Sequence, residues 1–275
     1  MADETNQSTE ENTASEAKPQ INTKYPTEII DLPSEGWFYQ KDHALASGQI
    51  EMRYMTARDE DILTSANLIK KGVVLDKLLK SLIVTPCNYQ DILTGDKNAI
   101  MIAARILGYG KDYEVGMKCP DCGENNELLI DLSQLPNKEV DFSKFEKGKN
   151  EFEVTLPVSK KVITFQLMTG RKDKQLDGEL KGLAKFTSKN APGQELTTRL
   201  KHQVIAIDGN RDNQAIREFI EKDLLARDSL ELRKAIQTFG PDVAMKFRFE
   251  CEHCAHDEVV DLPIDTGFFW PSTKS

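Results

Sequence analysis

Apolar and polar residues alternate from Ile50 to Tyr54 and again from Ile163 to Leu167, the period-two pattern of strands with one buried face. Each run leads into Met-Thr, at Met55-Thr56 and Met168-Thr169, where the threonine is placed to cap a helix. Asp59 follows Thr56 by three positions, a variant of the capping box. Residues 57–84 therefore read as helix, interrupted near Gly72. Further on, Asp96 and Asp228 are each placed to cap a helix that ends at a glycine, Gly108 and Gly240, the residue favoured at a left-handed C-cap. Arg105 and Arg233 suit the negative ends of those helices and need no further function. Each helix is followed by a short predicted strand, a Cys-x-x-Cys turn and a second strand. The expected fold class is mixed α+β.

These elements recur. Ile50, Met55, Thr56, Arg58 and Leu63 align without a gap with Ile163, Met168, Thr169, Arg171 and Leu176. Leu79-Lys80 matches Leu200-Lys201. Asp96, Gly108, Cys119 and Cys122 match Asp228, Gly240, Cys251 and Cys254 at one constant offset. Both copies finish an apolar run in Asp-Leu, at Asp131-Leu132 and Asp261-Leu262. Both also open alike, at Asp31-Leu32-Pro33 and Thr155-Leu156-Pro157. An ordered series of this kind marks an internal repeat. The expected organisation is two duplicated halves, residues 25–135 and 151–265, joined by a connection over 136–150. Residues 1–24 form an acidic arm rich in Glu, Ser, Thr, Asn and Gln, a composition that stays disordered. Residues 266–275 form a short aromatic tail.

Composition narrows the class. No stretch approaches the roughly 18 apolar residues that span a bilayer. The acidic, polar N-terminus lacks the basic start and apolar run of a secretion signal. A reducing compartment is therefore expected, in which thiols remain free to bind metal. The net charge of −9 runs against the basic footprint of a nucleic-acid binder. Short clusters such as Lys70-Lys71 and Lys160-Lys161 read as solvated surface.

Against that background the cysteines stand out. Cys119-Pro120-Asp121-Cys122 and Cys251-Glu252-His253-Cys254 are two zinc-knuckle turns. Zinc takes four thiolates in a tetrahedron, and one turn supplies two of them. Gly123 allows the first turn to tighten. The gap from Cys122 to Cys251 is long for one zinc ribbon, but duplicated halves would bring equivalent hairpins together. The expectation is one structural zinc per chain held by Cys119, Cys122, Cys251 and Cys254, with no position left open for substrate. Two redox dithiols or two disulfides are the alternatives, although neither turn opens a helix as redox motifs usually do. His253 and His256 read as surface residues beside the second turn, and Cys87 as a small buried hydrophobe.

The sequence has no Gly-rich phosphate loop, no His-Glu-x-x-His helix and no Gly-x-Ser-x-Gly elbow, so the expectation is a non-enzyme. Two aromatic clusters are candidates for partner binding: Trp37, Phe38 and Tyr39 after a turn, and Phe268, Phe269 and Trp270 in the tail. The competing reading folds both clusters onto the chain's own core.

Several segments in order resemble the T-even-type bacteriophage baseplate proteins, hub or hub-assembly components of contractile tails. They are Leu32-Pro33-Ser34-Glu35-Gly36 with Tyr39, Arg53-Tyr54-Met55-Thr56 with Asp59 and Glu60, Leu107-Gly108-Tyr109-Gly110 with Tyr113, and Cys119-Pro120-Asp121-Cys122-Gly123. The resemblance covers residues 29–135 and, more loosely, the second half, where Pro241 follows Gly240 in place of the Tyr-Gly element. It implies a structural protein of the virion tail baseplate, synthesised in host cytoplasm. Such a protein binds other baseplate or tail proteins and can be oligomeric within the tail. No catalytic residues carry over. An assembly chaperone absent from the finished particle is a variant of this reading. The alternative from a different class is a zinc-ribbon module for nucleic acid or transcription, which Asp121, Glu124, Glu252 and Asp257 on the hairpins disfavour.

Overall fold

The computed structural model describes residues 24–186, 194–264 and 268–269. Strand β1 (Thr27–Asp31) pairs antiparallel with β2 (Gln49–Arg53). The alternation in β2 buries Ile50 and Met52. The turn between the strands depends on Gly36 at φ 72°, where a Cβ would lie 2.5 Å from the Ala46 carbonyl oxygen. The helical run after Thr56 is three pieces: α1 (Ala57–Leu63), α2 (Ala66–Lys70) and α3 (Val74–Leu82). Thr56 and Asp59 form the reciprocal capping box, and Gly72 at φ 66° makes the later break. After α3, Ile83 returns to bridge Met52. The long helix α4 (Thr94–Tyr109) leads into the hairpin β3 (Asp112–Lys118) and β4 (Asn125–Asp131).

The same order follows from residue 152. Strands β5 (Phe152–Thr155) and β6 (Val162–Phe165) form a hairpin, followed by α5 (Gly170–Phe186) and α6 (Glu195–Gln203). Strand β7 (Val204–Ile207) then extends the sheet beside β6, where the first half has only the Met52–Ile83 bridge. Helix α7 (Asn213–Glu218) continues into a π-helical turn over Phe219–Asp223. The long helix α8 (Ala226–Phe239) and the hairpin β8 (Lys246–Glu250) and β9 (Asp257–Asp261) complete the chain. The architecture is mixed helix and strand, as expected.

The helix ends depart from the sequence reading. Asp96 and Asp228 do not cap their helices; Leu93 and Leu225 hold the cap positions, and the aspartates sit in the first turn. Both are buried. Asp96 accepts from the Ser34 amide (3.0 Å), the Ser34 hydroxyl (2.7 Å) and the Tyr39 hydroxyl (2.6 Å). Asp228 accepts from the Val158 and Ser159 amides at 2.8 and 3.0 Å. Each aspartate thus ties a long helix to the Leu-Pro turn of its own half. Burial raises the Asp96 pKa above the usual carboxylate value. Helix α4 runs past Gly108 and stops at Gly110, φ 85°, while Gly240 has φ −71° and is no left-handed cap.

One core cluster runs through both halves. At its centre Phe38, Phe145, Phe152, Phe165 and Phe239 pack ring against ring. The 136–150 segment takes part in this packing. Asn137 bridges Val243, Lys138 donates to the Gly240 carbonyl at 2.8 Å, and Trp37 donates through Nε1 to the Phe145 carbonyl at 3.2 Å. Residues 1–23 of the acidic arm lie outside the described residues, as does most of the 266–275 tail. No helix among the described residues is long and apolar enough to cross a membrane.

Candidate metal centre

The β3–β4 and β8–β9 hairpins point their turns at each other. In the first, Cys119 N–H donates to Glu124 (2.9 Å) and Gly123 N–H to Cys119 (3.0 Å). In the second, Cys251 N–H donates to His256 (2.8 Å) and Ala255 N–H to Cys251 (3.2 Å). Gly123 at φ 76° and Ala255 at φ 57° make the same left-handed step at matching positions. Cys119, Cys251 and the fully buried Phe249 form a small separate core, with Met117, Leu128, Phe247 and Val260 packed around it. The sequence reading missed Asn126. This buried residue faces inward from β4, accepts from the Glu252 amide of the other hairpin at 2.9 Å, and donates to the Glu124 carbonyl at 3.1 Å. A polar residue at an inward strand position was the available signal.

All four Sγ atoms lie within 4.8 Å of one another, and the four thiols are unpaired. Cys119–Cys254 and Cys122–Cys251 are each 3.7 Å apart. Thiolates about 2.3 Å from a central zinc stand about 3.8 Å from each other, so the donor set fits a tetrahedral ion. Cys119 and Cys251 are buried, whereas Cys122 and Cys254 are exposed. Desolvation raises the Cys251 thiol, but N–H groups of His253 and Cys254 outweigh it and bring it down to about 6. The His256 amide lowers Cys254, yet desolvation and the neighbouring sulfurs carry it up to about 12. Cys251 ionises readily while Cys122 and Cys254 are held up, so a full set of thiolates needs a cation between them. His253 and His256 are not part of this group. Cys87 is half-buried rather than buried, and desolvation raises its thiol.

The aromatic candidates land elsewhere. Phe38, Tyr39, Phe268 and Phe269 are buried, as the competing reading of these clusters expected, and do not offer free surface to a partner. Phe38 sits in the phenylalanine cluster, and the Tyr39 hydroxyl serves Asp96. Phe268 packs on Tyr113, whose hydroxyl donates to the Pro263 carbonyl at 3.0 Å. Apolar rings of this size gain more from the core than from water. Trp37 is half-buried, stacked on Phe142 with Lys147 over its ring. Trp270 lies outside the described residues.

The model of the T4 bacteriophage base plate protein family matches residues 38–270. The chain belongs to that family. The match includes both cysteine turns and nearly all of both halves. No curated protein matches the chain, and no solved structure does. Membership in the T4 base plate family supports a structural role in the phage tail, in association with other baseplate or tail proteins.

Proposed function

We propose that this chain is a structural or assembly component of the baseplate hub region, held in shape by one zinc ion that its two duplicated halves share. The carrying observation is the convergence of four cysteine sulfurs from two hairpins far apart in sequence, within 4.8 Å. The ligands are Cys119, Cys122, Cys251 and Cys254, and the protein acts through contacts with other tail proteins rather than by catalysis. Duplication is supported by the matched element order, by the paired aspartate tethers, and by the left-handed step shared by Gly123 and Ala255. Of the aromatic candidates, the half-buried Trp37 and the terminal Trp270 are kept as partner contacts. Four donors from the protein complete a tetrahedron and leave no open site, which suits a staple. Native mass spectrometry before and after unfolding tests the metal. The expected result is one zinc per folded chain, lost on denaturation; folded protein without metal would sink the reading. Probing purified virions for the chain separates a baseplate component from an assembly factor.

A further inference from the structure

The two halves meet through a contact whose two faces each have an unused counterpart. In the first half, Asp91-Ile92-Leu93-Thr94 runs into α4. In the second half, Asp223-Leu224-Leu225-Ala226 runs into α8 at the cysteines' sequence offset. Leu93 and Leu225 are both helix N-caps with nearly the same backbone angles, φ −62° with ψ 146° and φ −67° with ψ 148°. Their surroundings differ. Leu93 is 3% exposed and Leu225 is 48% exposed.

A seam from the second half covers Leu93. Leu93 bridges Thr169, Thr94 N–H donates to Met168 at 3.0 Å, and Gly170 N–H donates to Ile92 at 3.0 Å. An Arg171–Asp91 ion pair at 2.7 Å closes its edge. The segment equivalent to Met168-Thr169-Gly170-Arg171 is Met55-Thr56-Ala57-Arg58 in the first half. There, Met55 and Thr56 are half-buried and Ala57 and Arg58 exposed, whereas Met168 is buried. Among the described residues, Arg58 and Asp223 have no ion pair. Among those same residues the Ala57 and Ala226 amides and the Met55 and Leu224 carbonyls have no backbone partner.

From this complementarity we infer that the Asp223–Ala226 face receives the Met55–Arg58 face of a second copy of this chain. Arg58 of one copy pairs with Asp223 of the next, and Leu225 is covered as Leu93 is. The inference rests on the duplicated-half reading, but not on the metal or on a place in the virion. The two faces are different patches, so the association is head to tail and can close into a ring or extend. Two departures shape it. Ala57 replaces Gly170, where a Cβ would lie 3.3 Å from Gln90 Cα, so the seam must open by a few tenths of an ångström. Arg227 replaces Gly95, where a Cβ would lie 1.8 Å from the Pro241 carbonyl oxygen. The contact between copies is therefore confined to the seam and does not continue along the helix.

Sedimentation velocity on the metal-loaded full chain, over a concentration series at low salt, tests this. Wild type should associate with concentration. Asp223→Arg and Arg58→Asp should each weaken association by about tenfold or more through like-charge contact, with unchanged melting temperature. An equimolar mixture of the two variants should associate again, because each supplies the face the other needs. A wild type that stays a single copy throughout, reversals without effect, or a mixture that fails to recover would each overturn the inference. Wild type that associates yet holds no zinc when purified, and whose melting temperature chelator leaves unchanged, would overturn the metal reading alone.

Discussion

Asp59 shows how much one side chain can be asked to hold. Arg53 grips both its oxygens at 2.8 Å, Thr56 donates to it from amide (2.9 Å) and hydroxyl (2.7 Å), and Ser81 adds a hydroxyl at 3.0 Å. Burial works to raise this carboxyl, but the Arg53 and Thr56 donors outweigh it and hold the pKa well below the usual carboxylate range. A lowered folded-state value contributes stability above the unfolded pKa of about 4, and that stability is lost as pH falls through the folded value. Asp59→Asn should therefore cost about 1–3 kcal/mol near neutrality. Its melting temperature should converge on wild type as the buffer is acidified below about pH 4; a gap that stays constant with pH would contradict this assignment. Gly95 is the complementary case. Alanine is the better helix former by about 1 kcal/mol, yet its Cβ would meet the Pro241 carbonyl oxygen. Gly95→Ala should lower stability by about 1–3 kcal/mol in denaturant titrations.

At the scale of elements, the long helices are positioned from their first turns. Asp228 satisfies two amides of the turn between β5 and β6, and without it those donors have no partner. Asp228→Ala should cost about 1–3 kcal/mol and speed hydrogen exchange at Val158 and Ser159. Exchange that speeds up only along α8 would mean the aspartate serves its own helix after all. In the first half Asp96 does the same task with a different set of donors, one amide and two hydroxyls. Both long helices are thus tethered to a Leu-Pro turn, each through a different set of donors.

For the molecule as a whole, the cysteine group joins two hairpins that each have only two strands, too few to be stable alone. Metal binding contributes roughly 10 kcal/mol or more in small zinc-dependent domains. Here a continuous core also joins the halves, so the loss on metal removal should be smaller. Chelation, Cys119→Ser or Cys254→Ser should lower the melting temperature in a single transition, and the buried and the exposed ligand should matter alike. Thiolates must be deprotonated to bind, so metal should leave on acidification, and the difference between chelated and loaded protein should vanish there. Equal melting curves with and without chelator at neutral pH would remove the staple.

Local pattern was enough for much of this. Strand alternation at Ile50, the Thr56 capping box, the break at Gly72 and the paired Cys-x-x-Cys turns follow from side-chain period, cap chemistry and spacing, all of which act within a few residues. The strand at Ile163 was legible but its half-buried pattern was not, because β6 lies between β5 and β7 and buries Thr164 as well as Ile163 and Phe165. The repeat also brought cysteines from distant parts of the sequence into one expectation. Partnership across the fold was not legible. An aspartate before a helix looks like a cap, and only the tertiary structure turned Asp96 and Asp228 toward turns more than sixty residues away. Aromatic rings near turns look like surface anchors, and only packing placed Phe38 and Phe268 in the core. Exposure belongs to a position rather than to a residue type. Leu93 and Leu225 stand at matching places, and the neighbouring half covers the first and leaves the second open.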